Sequence, residues 1–295
     1  MVVARLLRLN FLRKFLAHKP ATFHIQTRYM QAQKKSKGIM KLKFTFITFL
    51  LIFQSNYSQI ENEVKKTNTT DSIKKVSLDP LYFVLGTLSD YMGRFEYVER
   101  EKQIDRYYPY EMPVVDFLTK YIKTELNIDV DTIFEKSNHS KMYSDKFSKT
   151  LNSFYGVNDK LLNEMFETIN QKYSFLAGVY YRYGDKLDTS IYKIQLANSP
   201  KHQNCYEFLK QVGCENIFYQ YLRNIPAQFI LYFEPTDELK KYLEYIESER
   251  IILEKSYHNQ IYDMMEGSIS RKKLNKDIRK TKSKEVNKIR IIFKR

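Results

Sequence analysis

Cysteine and histidine, the side chains best suited to nucleophilic or metal chemistry, come close together once in this sequence. His202 and Cys205 are three residues apart, so a helix would place both on one face. Such a pair can act as nucleophile and base, or supply two ligands of a zinc site. Zinc needs further ligands, and no H-E-x-x-H or C-x-x-C motif supplies them. We therefore expect no metal and no cofactor, and we interpret His202 as a surface histidine and Cys205 as a structural cysteine.

A second set of candidate residues is acidic. Asp129 and Asp131 are two residues apart, so a strand would place both carboxylates on the same side. Together with His139 they would give a secreted hydrolase a dispersed acid and base site, provided that all three converge in one cleft. The competing interpretation makes Asp131 the N-cap of a helix. The sequence alone therefore identifies no catalytic residue.

The chain has two cysteines, Cys205 and Cys214, which an oxidising compartment would favour as a disulfide. If residues 205–212 are helical, the two Cα atoms lie roughly 12 Å apart at 1.5 Å per residue. A disulfide needs a Cα separation below about 7 Å. Either the helix begins after Cys205 or the disulfide does not form.

Phosphate-binding motifs are missing from the sequence: it has no P-loop and no G-x-G-x-x-G turn after a strand. A nucleotide is therefore not an expected ligand. Tyr180, Tyr181 and Tyr183 could stack on bases or sugars, but tyrosine is also a favoured strand residue. Packing within a sheet is the simpler interpretation of these rings.

The formal net charge of +15 is concentrated at the two ends of the chain. Residues 1–58 carry 11 basic and no acidic side chains, and residues 271–295 carry 12 basic and two acidic ones. The body between them has 26 basic and 32 acidic side chains. The protein is therefore a mildly acidic globule with a cationic tail. That tail could bind an envelope protein, nucleic acid or an anionic membrane, or it could simply be solvated.

Residues 40–58 have the order of a signal peptide. Lys41 and Lys43 precede an apolar run at 44–53, and a polar segment ending at Ser58 follows. The run is too short to span a bilayer, which takes roughly 20 residues. We expect a periplasmic or secreted protein, with residues 1–39 arising from upstream translation. Should those basic, acid-free residues be genuine, they would favour a mitochondrial location.

The spacing of apolar residues predicts an α+β fold that is predominantly helical. Period-two alternation predicts a hairpin over 174–197, and an apolar run predicts a central strand over 227–233, giving a small antiparallel or mixed sheet. A long C-terminal helix is predicted over 237–266, with a kink or a projecting end. The predicted layout is a linker at 59–77, one globular domain at 78–268 and the basic tail at 269–295.

These observations favour an exported, non-catalytic binding or envelope-accessory module. They leave open two alternatives: a secreted hydrolase built on the dispersed acid and histidine residues, and electrostatic binding of nucleic acid or an anionic membrane by the tail.

Overall fold

The computed structural model describes residues 76–89, 91, 99–135, 139–265 and 270–294. The predicted signal peptide at 40–58, the segment 1–39 and all but the last two residues of the predicted linker lie outside the described residues. The described part belongs to one compact unit, Val76–Arg295. Its helices and two small antiparallel sheets confirm the predicted α+β class.

In the first half of this unit, the described residues form three α-helices and a three-stranded sheet. Its elements in chain order are α1 (Pro80–Thr87), β1 (Gln103–Tyr107), α2 (Met112–Leu126), β2 (Asp131–Phe134), β3 (Ser140–Tyr143) and α3 (Asp145–Asn152). The strands are antiparallel in the order β1-β3-β2. Pro113 starts α2 where no amide hydrogen is needed, and Asn127 ends it in the left-handed conformation at φ 53°.

The second half follows a similar order around a four-stranded sheet. Its elements are α4 (Ile169–Tyr183), β4 (Gly184–Lys186), β5 (Tyr192–Ala197), α5 (Lys201–Gln211), β6 (Ile217–Leu222), β7 (Gln228–Phe233) and α6 (Asp237–Tyr245). Two further helices follow, α7 (Glu247–Met264) and α8 (Arg271–Phe293). Both halves begin with a helix and end with a helix, two strands and a helix. Between the first two helices the described residues form one strand in the first half and two in the second, so the halves are similar but not identical.

The two halves meet at a close backbone contact between α1 and α4. A Cβ atom on Gly86 would lie 2.2 Å from the carbonyl oxygen of Phe175, and one on Gly178 would lie 2.0 Å from that of Phe83. Each glycine follows the corresponding phenylalanine by three residues, so the contact is reciprocal. Only glycine permits this approach, because any side chain would collide with backbone atoms.

The four-stranded sheet, in the order β4-β5-β7-β6, packs its inner face against the core. The core side chains that it contributes are Tyr192, Ile194, Leu196, Leu231 and Phe233. Because side chains alternate along a strand, the residues between them project from the opposite, outer face.

The predicted hairpin is correct only in its second part, because residues 169–183 form helix α4 and the paired strands begin at Gly184. The Thr168 hydroxyl accepts a hydrogen bond from the Gln171 amide, and the Gln171 side chain accepts one from the Thr168 amide, which caps the helix. Residues 173–182 are all buried. A helix that is covered on every side has apolar residues all around it. Its apolar pattern therefore could not distinguish a helix from a strand.

The predicted helix over 237–266 is divided into α6 and α7 at Ile246, consistent with the expected kink. Arg250, which interrupts the apolar stripe, is buried, and its guanidinium group pairs with Glu247 and Glu254 at 2.9 Å each. Residues 271–293, left without structure in the sequence-based layout, form the 23-residue helix α8.

Candidate nucleic-acid interface

The basic helix α8 has a defined beginning and an apolar stripe. The Ser270 hydroxyl caps it by accepting a hydrogen bond from the Lys273 amide at 3.3 Å. Leu274, Val286 and Ile289 are buried, at spacings that return to one face of a helix. The segment is therefore amphipathic, and its apolar side needs a partner surface.

The outer face of the four-stranded sheet supplies that surface. Val286 and Ile289 join a buried cluster with Leu187, Ile191, Ile230 and Tyr232, and Ile292 and Phe293 pack at its margin. This cluster is separate from the main core, so α8 and the inner elements enclose the sheet from both sides.

Charged contacts fix α8 on the sheet in one register. The Lys282 ammonium lies 2.8 Å from Asp185, and the Arg290 guanidinium lies 2.7 Å from Asp188. Glu285 accepts a hydrogen bond from the Tyr232 hydroxyl at 2.7 Å. Burial alone would raise the pKa of Asp185, but the neighbouring ammonium groups outweigh it and hold that pKa below its usual range.

The opposite side of α8 is a continuous cationic surface, which we call the basic face. The helix carries ten basic and two acidic residues, and one of the acids, Glu285, points to the sheet. The exposed members of the basic face are Lys272, Lys273, Lys276, Arg279, Lys280, Lys284, Lys288 and Lys294. Since the apolar stripe fixes the rotation of the helix, these charges are presented outward together.

Residues proposed for catalysis from the sequence are not brought together. Asp129 is exposed and pairs with Lys123 at 2.8 Å. Asp131 begins β2 and is exposed, whereas His139 lies at the far end of the β2–β3 hairpin, beside the Tyr108 ring. The three side chains do not share a cleft, so the dispersed hydrolase site is wrong.

Cys205 lies within α5, and Cys214 follows the end of that helix; both side chains are buried, and no disulfide joins them. Burial raises the pKa of the Cys214 thiol. His202 stacks on Phe229 with ring centroids 3.8 Å apart. Within the described residues, no group of three or more His, Cys, Asp or Glu side chains is placed to hold a metal ion.

A buried charge cluster that the sequence analysis missed lies where α1 and α4 end. The Arg182 side chain is 1% exposed, and its guanidinium donates to Asp105, to both oxygens of Glu111 and to the carbonyls of Thr87 and Arg106. Its pKa is raised well above its usual value: burial would lower it, but Glu111, Tyr183 and Asp105 outweigh burial. The signal available in the sequence was an arginine within an otherwise apolar segment.

Lys201 also reaches the end of α1. Its buried ammonium donates to the carbonyls of Gly86 and Leu88. A cation is favoured there because the C-terminal end of a helix has unpaired carbonyls and a partial negative charge. Arg182 and Lys201 thus both neutralise the C-terminal end of α1.

No protein-family model and no curated protein matches the chain. Among solved structures, the homing endonuclease I-DmoI in complex with DNA and Mn is 14% identical to this chain, with a TM-score of 0.38. The match covers 57% of this chain and 94% of that chain. Full-length DUF199/WhiA from Thermatoga maritima is 14% identical, with a TM-score of 0.37, and the match covers 75% of this chain and 70% of that chain. The N-terminal LAGLIDADG domain of DUF199/WhiA is 19% identical, with a TM-score of 0.35, and the match covers 58% of this chain and 86% of that chain. These likenesses are too distant to assign the chain to either family.

The predictions of an exported, non-catalytic envelope module and of a periplasmic or secreted location are contradicted by these comparisons. The matched structures are a homing endonuclease solved with DNA and a LAGLIDADG protein, which points away from an exported binding module. Among the described residues, no helix combines the length and the apolar character needed to cross a bilayer.

Proposed function

We propose that this protein binds the phosphate backbone of duplex DNA through the basic face of α8. The observation that carries the proposal is the fixed rotation of the helix: its apolar stripe is buried on the sheet, and its lysines project outward. A disordered cationic tail would have to become ordered on binding, whereas this surface is already formed.

The dimensions of the basic face suit a polyphosphate ligand. At 1.5 Å per residue, the 23 residues of α8 extend for about 35 Å. Lys273, Lys276, Lys280 and Lys284 recur every three or four residues, so the Cβ atoms of successive lysines stand about 5–6 Å apart along one side. Duplex DNA carries a phosphate about every 3.4 Å along each strand, so several can be neutralised together.

The packing of α8 favours nucleic acid over a membrane surface. An amphipathic helix that binds a bilayer inserts its apolar side between the lipid headgroups. In this protein Val286 and Ile289 occupy the sheet instead, and the exposed side of the helix presents mainly charge, with Ile291 as its exposed large apolar residue.

Fluorescence anisotropy with a labelled duplex, measured between about 50 and 200 mM salt, tests the proposal. We expect the logarithm of the binding constant to fall linearly with the logarithm of the salt concentration. The double variant Lys280→Gln with Lys284→Gln should reduce the slope of this line by about 1.8, because each phosphate that is no longer neutralised removes about 0.9. Lys146→Gln with Lys149→Gln is the matched control, because both lysines are exposed on α3. A response independent of salt, or an equal loss in the control, would refute the proposal.

A further inference from the structure

A cluster of exposed and half-buried rings, which we call the aromatic platform, lies at the edge of the four-stranded sheet. It consists of Tyr219 and Tyr221 on β6, Phe229 on β7, and His202 and Tyr206 on α5. Tyr219 is 37% exposed and Tyr221 is 49% exposed. Large aromatic groups grouped at the surface of a protein commonly mark a binding site.

Three rings of the platform lie nearly parallel to the Phe229 ring, whereas Tyr206 meets Tyr219 edge-on at 69°. The Phe229 ring lies at 17° to His202, 23° to Tyr221 and 27° to Tyr219, with centroid distances of 3.8, 5.3 and 6.4 Å. The Tyr219 hydroxyl lies 3.2 Å from Nδ1 of His202, which ties the strand to α5. The platform is therefore a preorganised stacking surface with polar groups at its rim.

The alternation of β6 explains why these rings are exposed. Ile217, Tyr219 and Tyr221 project from the inner face of the sheet, but only Ile217 reaches the core. The tyrosines extend past it, on a strand that pairs with β7 alone among the residues that the structure describes. Their positions therefore cannot be explained by core packing.

The charges around the platform are compatible with a nucleic-acid strand. The Lys210 ammonium lies 5.7 Å from the centre of the Tyr206 ring, and the exposed Arg223 follows directly after β6. The nearby carboxylate of Glu207 accepts a hydrogen bond from the side chain of Asn163. A ligand that combines planar rings with negative charge fits such a surface.

We propose that the aromatic platform stacks unpaired nucleobases of a single-stranded segment. The proposal rests on the proposed function for the class of ligand and adds a base contact to the phosphate contacts of α8. Phe218 and Leu222 of β6 pack in the cluster under α8, while Tyr219 and Tyr221 face the other way. A strand that passes around the open edge of β6 therefore reaches both surfaces.

Three probes of equal length, about 16 nucleotides, separate base stacking from phosphate binding. They are oligothymidylate, an abasic oligonucleotide and a duplex. We expect Tyr219→Ala with Tyr221→Ala to weaken oligothymidylate binding about 5- to 150-fold, because the stacking of a single base is worth that much. Binding of the abasic strand and of the duplex should be unchanged. Tyr219→Phe with Tyr221→Phe should retain most of the affinity, and the exposed Tyr245→Ala on α6 is the control.

Equal binding of oligothymidylate and the abasic strand by the unmodified protein would overturn the proposal. So would an equal loss for the Ala and Phe variants, or a changed oligomeric state of the Ala variant, which would assign the platform to contacts with a second copy. Duplex affinity reports on the basic face of α8 separately. Base-dependent binding without duplex binding would reject the proposed function of α8 and leave the platform intact.

Discussion

Gly86 and Gly178 face each other across the two central helices, and each occupies the space that a side chain on the other helix would need. The carbonyl oxygens of Phe83 and Phe175 close the contact from both sides. This backbone contact joins the two halves of the fold, so it determines how the sheets and the helices that flank them are placed.

Replacing either glycine with alanine should destabilise the protein by about 1–3 kcal/mol or more, because the new methyl group meets backbone atoms. Urea unfolding of Gly86→Ala and Gly178→Ala measures the loss. Gly156→Ala is the control, since its Cβ would meet only the movable side chain of Leu162. A control as unstable as the two variants would show that the α1–α4 contact has no special role.

Arg182→Met should cost about 3–5 kcal/mol of unfolding free energy, because it leaves the carboxylates of Asp105 and Glu111 buried without their cation. The comparison is Arg290→Met, which removes an exposed partner of Asp188 and should cost about 1 kcal/mol or less. Chemical denaturation at neutral pH gives both values. Similar losses for the two variants would argue against a structural role for the buried cluster.

The Asp185 carboxylate should make the docking of α8 sensitive to acid. Burial would raise its pKa, but Lys193 and Lys282 hold it below the usual value. A carboxyl group with a lower pKa in the folded state stabilises the fold above its unfolded pKa of about 3.9. That stabilisation is lost as the pH falls through the pKa that Asp185 has in the folded protein.

Asp185→Asn should therefore be less stable at pH 7 by about 1 kcal/mol, and its stability should fall less steeply with acidification below about pH 4. Urea midpoints measured across this range test the difference. Parallel curves for the variant and the unmodified protein would mean that Asp185 does not contribute to acid sensitivity.

Both cysteines should resist thiol reagents in the native protein and react fully in urea without a reductant. Cys205 is fully buried, Cys214 is nearly so, and burial raises the pKa of Cys214, which keeps the less reactive thiol form at neutral pH. Titration with a chromogenic disulfide reagent counts the accessible thiols. No reaction in urea before reduction would reveal a disulfide and contradict the structure.

The basic charge of residues 271–295 and the possibility of an anionic partner were evident from composition alone. The aromatic platform was not, because Tyr219 and Tyr221 come together with His202 and Phe229 only when β6 pairs with β7 and α5 packs beside them. A constellation assembled from three elements leaves no local spacing to recognise.

The sequence by itself determined the α+β class and the strand ending at Phe233, since both depend on local apolar patterns. It also predicted a kink or a projecting end in the long C-terminal helix, but only the structure placed the break at Ile246. Only the tertiary structure decided that residues 169–183 are helical and that the basic tail is an ordered helix. The first segment is buried on all sides, which removes its periodic signal, and the second needs the outer face of the sheet to cover its apolar stripe.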